Sequence, residues 1–159
     1  MKTTLVVLAL LSGTPRLCTA EERKPVEEAL QLLQQAAVSV PSSLAPAAVE
    51  DSQEASVHLN VASLLFYKGR HLFREDSTRT EGQEVFQDVQ RELLLAIRFA
   101  AQDPDERRRN LVLGQAAYLL GDVVNYVLQQ PGQAKAFYQQ ALRFVPEHLV
   151  ASETLKRLP

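Results

Sequence analysis

Beyond residue 24 the apolar positions of this chain recur three and four residues apart, and nowhere do they alternate with polar ones for long enough to build a sheet. The pattern predicts an all-α protein. Val26, Ala29, Leu30, Leu33 and Ala37 make one stripe after Pro25, which suits a first helical turn, and define a helix over 25 to about 38. The stretch from Val40 to Ala48, with two prolines and two serines, reads as a linker. A second helix is expected from near Glu50 to about Arg74, carrying Val57, Val61, Leu64, Leu65 and Leu72, and the polar segment Asp76 to Gly82 ends it. A third, from about Glu84 to Ala101, sets Phe86, Val89, Leu93, Ala96 and Ala100 on one face.

Asp103-Pro104-Asp105-Glu106 marks a restart: Asp103 is placed to accept from free backbone N–H groups, Pro104 is tolerated in a first turn, and Glu106 stands at a capping-box position. The helix opened there runs through Leu113, Ala117, Leu120, Val124 and Leu128 until Gln130-Pro131-Gly132 interrupts it. Two shorter helices over about 132–144 and 147–158 follow, divided at Pro146.

Ala96-Ile97-Arg98-Phe99 is echoed by Ala141-Leu142-Arg143-Phe144, each behind a longer helix with a glycine in its second half, Gly69 or Gly121. The chain therefore reads as two copies of a helical hairpin. The second copy, Leu120-Gly121-x-x-Val124 followed by Ala134, Tyr138, Ala141 and Pro146, resembles the tetratricopeptide-repeat family, whose unit is about 34 residues long. Valine replaces the usual aromatic at 124, and the loop at Pro131 is one residue longer than the family pattern. The first copy departs further, with about eight extra residues before Val89, Leu93 and Ala96, and with Pro104 arriving three residues late. The resemblance is good over 110–146, fair over 57–104 and absent over 25–48. It implies a short α-solenoid of antiparallel hairpins over 49–159, with the helix in 21–48 and the last helix capping its ends, since such arrays are stabilised by neighbours.

The first twenty residues differ from the rest: Lys2 precedes the apolar run Leu5 to Leu11, Gly13 and Pro15 break it, and Cys18-Thr19-Ala20 offers small residues before Glu21. This is the layout of a secretory signal over 1–20, too short to serve as a permanent membrane span, which needs about 20 apolar residues. Cleavage after Ala20 and lipid attachment at Cys18 both stand as readings, the second disfavoured by Arg16 and Leu17 before the cysteine. Cleavage removes Lys2, Arg16 and the single cysteine, leaving 15 basic residues against 19 acidic. A mature chain of that kind forms no disulfide and repels polyphosphate, which argues against nucleic acid as a partner. With no Asn-x-Ser/Thr acceptor in the sequence, the bacterial periplasm or cell envelope is the expected address, and secretion the other.

Chemistry is sparse. His58, His71 and His148 are far apart, and no nucleophile elbow, phosphate loop or dinucleotide fingerprint occurs, so the expectation is no enzyme, no metal and no cofactor. Arg107-Arg108-Arg109 reads as a solvated helix face neutralised by Asp103, Asp105 and Glu106. The resemblance implies a concave groove lined by the first helices of the two hairpins. Carried over by position, its lining is Ser63, Phe66, Arg70, Phe73 and Arg74 around Gly69, and Gln115, Tyr118, Asp122, Asn125 and Tyr126 around Gly121. Aromatics with arginines dominate binding hot spots, so the implied partner is a protein or peptide. The expected function is that of an exported adaptor or small subunit of an envelope complex. A helical carrier with an apolar cavity for a lipid or small metabolite is the alternative, and self-association through an end helix is open.

Overall fold

The computed structural model describes residues 27–35 and 48–159. The expected export signal, Cys18, Pro25 and most of the expected linker lie outside the described residues. Helix α1 covers 27–35. It is followed by α2 (Ala48–Arg74), a 3-10 turn (Asp76–Thr78), α3 (Arg79–Ala100), α4 (Glu106–Tyr126), α5 (Pro131–Phe144) and α6 (Leu149–Arg157). No strand occurs among the described residues. The protein is all-α, as the apolar spacing predicts.

Two antiparallel hairpins form the body. In the first, the start of α2 meets the end of α3, where the His58 ring stacks on Phe99 at 5.5 Å, and the end of α2 meets the start of α3, where Phe73 stands edge-on to Phe86 at 5.9 Å. In the second, Gly121 near the end of α4 packs on Tyr138 of α5, and Gly114 packs on Val145 just past the end of α5. Helix α4 also touches α2 and α3, and α6 rests on α5. One apolar core runs through everything: Ala29 and Leu33 of α1 join Val89, Leu93 and Ile97 of α3, Leu113, Leu120 and Val124 of α4, and Phe137 and Tyr138 of α5, all of them fully buried. Glu28 and Arg98 pair beside it and tie α1 to α3.

Small residues sit where backbones approach. A Cβ on Gly121 would lie 2.6 Å from Cε1 of Tyr138, and one on Gly82 would lie 2.8 Å from the backbone nitrogen of Phe73. Neither position has room for a side chain. Gly82 also corrects the expected break over 76–82. Thr78 donates its hydroxyl to the Leu72 carbonyl at 2.8 Å and its amide to Glu75. The chain thus turns within a few residues, and α3 starts at Arg79 with Gly82 already inside it, pressed on α2.

The restart after α3 is right in place and wrong in its cap. Asp105, not Asp103, caps α4 by accepting from the Arg108 amide at 3.1 Å. This bond, with the nearby Arg108 charge, holds the Asp105 carboxyl below its ordinary range against the opposing effect of desolvation. Asp103 is buried before the helix; it accepts from the Asp105 amide and takes both arms of the Arg108 guanidinium at 3.1 Å. Arg109 leaves the expected solvated face as well: it is buried and donates to the Asp103 carbonyl at 3.0 Å. The fourth helix ends at Tyr126, short of Leu128, because Gln129 takes a left-handed backbone (φ 54°) and turns the chain into Pro131, the first residue of α5.

Candidate functional site

Helices α2 and α4 each open a hairpin and pack against one another, so the positions expected to line a groove lie on neighbouring elements. The structure sorts them. Phe66 is buried at 3% exposure and meets Phe86 edge-on at 5.9 Å, and Phe73 meets the same ring edge-on at the same distance. These two rings seat α2 on α3, Phe66 within the core and Phe73 half-buried beside it, because aromatic rings gain by closing the hairpin. The half-buried Ser63 donates its hydroxyl to the Leu59 carbonyl of its own helix at 2.9 Å.

Arg70 and Arg74 are exposed and one turn apart. The Arg70 guanidinium lies 5.8 Å from the centre of the Phe66 ring, a contact that draws it along the α2 surface toward α4. With Tyr67, His71 and Glu75 the two arginines border an open depression. Tyr67, at 69% exposure, was not among the expected site residues, since its position follows from the turn of α2 rather than from the repeat motif.

Across from Arg70 stands a polar node. Asp122, at 4% exposure, accepts a hydrogen bond from the Tyr138 hydroxyl at 2.8 Å, and Tyr118 also bonds to it. Burial pushes the Asp122 carboxyl above its ordinary range; the two phenols and the Arg70 charge oppose that shift and do not cancel it. Both phenols are pushed upward in turn, first by burial and then by the Asp122 charge, so they remain hydroxyl donors. Gln115 lies 3.3 Å from His148 through the Nε2 of that ring, and Tyr118 lies against the same ring at 4.9 Å. His148 accepts from the Ala151 amide through Nδ1 at 3.2 Å, so the proton of the neutral ring sits on Nε2, facing Gln115. Asn125 is half-buried and Tyr126 exposed at 57%.

The arrangement sets the exposed Arg70 cation near a buried carboxyl that is engaged by phenol donors. Among the described residues no group of three or more His, Cys, Asp or Glu side chains could bind a metal, and no helix is long and apolar enough to cross a membrane. The roles of Tyr138 and His148 could not be read from residue type; they depend on which turns of α4 face α5 and α6. No family model matches the chain, and neither the curated proteins nor the solved structures contain a match to it.

Proposed function

We propose that this protein is an exported protein-binding adaptor, or a small subunit of a cell-envelope complex, that holds an acidic, extended segment of a partner along the surface between α2 and α4. The observation that carries the reading is the placement of Arg70: a guanidinium laid on the Phe66 ring, with Arg74 one turn away and the Tyr118–Asp122 node opposite. Arginine preset on an aromatic face loses less freedom on binding and offers a fork of donors matched to carboxylates. The tetratricopeptide-like spacing around Gly121 supports a groove-forming role for the first helix of each hairpin, and the layout of residues 1–20 supports export.

A carrier function has less behind it. The recess of about 240 Å³ between α3 and α4 is open, and Gln83, Gln87 and Gln90 wall it as much as Val123, Val127 and Leu128 do. An apolar ligand gains little from such a lining.

The test is capture of partners by crosslinking in the native compartment, repeated with Arg70→Ala/Arg74→Ala. Both side chains are exposed, so the fold should be unaffected. Affinity for the captured segment should drop at least about tenfold and the remaining binding should lose its salt dependence. Unchanged capture by the double variant would refute the assignment.

A further inference from the structure

The surface of α2 that faces away from the α4 groove is more apolar than the outer faces of α3 and α5, the second helices of the two hairpins. In α3 the exposed positions are Arg79, Thr80, Glu81, Glu84, Gln87, Arg91 and Arg98, all polar; in α5 they are Gly132, Lys135, Gln139 and Arg143. In α2 the exposed positions include Val57 (53%), Val61 (38%), Leu64 (72%) and Tyr67 (69%). An isolated exposed leucine needs no explanation, but these are not isolated. Residues 54, 57, 61, 64, 68 and 71 are all exposed and follow one another at spacings of three and four, the seam of a helix that pairs with another helix. The groove residues Arg70 and Arg74 lie on a different side of the same helix, and the seam meets the depression they border only at its end, where His71 lines both.

Charge indicates what the seam pairs with. Along the seam itself α2 carries Glu54 toward its start and Lys68 and His71 toward its end. Two copies laid side by side in the same direction would put like charges together. Laid in opposite directions about a two-fold axis, they put each acidic half on the other's basic half, which is the self-complementarity an isologous dimer requires. Setting the axis between Val61 and Leu64 stacks Val61 on Leu64 of the second copy and Val57 on the stem of its Lys68. Glu54 then lies beside Lys68 and His71 of the second copy.

We infer that the occupant of this face is a second copy of the same chain, paired antiparallel through α2. The apolar part of the seam, from Val57 to Leu64, is about 10 Å long at the helical rise, so the dimer is a weak one, with a Kd on the order of micromolar.

The experiment is sedimentation velocity on the full chain over about a hundredfold range of concentration, spanning the micromolar. The weight-average mass should climb from one chain toward two. Leu64→Glu should keep the helical circular-dichroism spectrum and hold the protein monomeric throughout; Val57→Lys is the second variant should that one fail to fold. Glu54→Lys alone and Lys68→Glu alone should each weaken the dimer on the order of tenfold, and the two together should restore it. Monomer at every concentration overturns the inference and leaves the seam to another segment or another protein. A dimer untouched by Leu64→Glu overturns the choice of face. Failure of the double charge reversal to rescue overturns the antiparallel axis.

Discussion

In the first hairpin Gly69 of α2 lies under Phe86 of α3, and a Cβ placed there would come within 3.1 Å of the ring; in the second, Gly121 of α4 lies under Tyr138 of α5, and the same atom would come within 2.6 Å. The motif is shared but its consequences are not. Phe86 carries no polar group that would anchor it, and a Cβ on Gly69 would also meet Cγ1 of Val85 at 3.2 Å, so a shift of tenths of an ångström would relieve the contact. Tyr138 is fully buried and tethered at its far end by the hydroxyl bond to Asp122. Helix α4 is also enclosed by α2, α3 and α5, whereas α2 keeps one side toward solvent. Identical spacing in sequence thus marks a close approach in both hairpins, while burial and a hydrogen bond decide how rigid each one is.

The comparison breaks most readily at the glycines. Gly121→Ala should destabilise the fold by about 2–3 kcal/mol, the usual scale of overpacking in a dense interior. Gly69→Ala should fall within about 0.5 kcal/mol of wild type, since the better helix propensity of alanine offsets a mild clash. Chemical denaturation of both variants decides it, and equal losses would sink the distinction. If the tether makes Tyr138 rigid, Tyr138→Phe should shrink the Gly121→Ala loss in a double-mutant cycle.

Next in size is Asp122→Leu, which strips the Tyr138 hydroxyl of its acceptor and should cost about 2 kcal/mol, whereas Asp122→Asn keeps an acceptor and should cost far less. Asp103→Ala, at the corner between the hairpins, removes the acceptor of both Arg108 arms and of the Asp105 amide; about 1 kcal/mol should be lost, read as a lower midpoint in urea. The smallest effect is in pH. Folding raises the Asp122 pKa above its ordinary 3.8, so the native state holds that proton more tightly than the unfolded chain does. The resulting stabilisation is complete below 3.8 and fades as pH rises through the raised value. Titrating wild type against Asp122→Asn should show their stability difference declining across that window and level above it.

The helices were legible because burial of one face leaves its period in the chain: the stripe Val89, Leu93, Ala96 and Ala100 became the inner face of α3 without exception. The pairing of Gly121 with Tyr138 was legible too, since small and large residues at fixed spacing imply nesting helices. What escaped depends on contacts distant in sequence. Gly82 looks like a breaker until the backbone of Phe73 lies against it, and Asp103 looks like a cap until Arg108 folds back on it. Phe66 and Phe73 occupy groove positions by motif, but Phe86 on α3 draws them inward, leaving Arg70 and Arg74 as the exposed part of that surface.

The left-handed residue at the end of α4 has an engineering consequence. Glutamine in that conformation carries a backbone penalty of roughly 1 kcal/mol that glycine largely escapes, so the reversal between α4 and α5 is made under tension. Relaxing it with Gln129→Gly should raise the melting temperature, although the looser unfolded chain returns part of the gain. The hairpin that buries Tyr138 against Gly121 therefore begins at a turn that has not been optimised for heat tolerance.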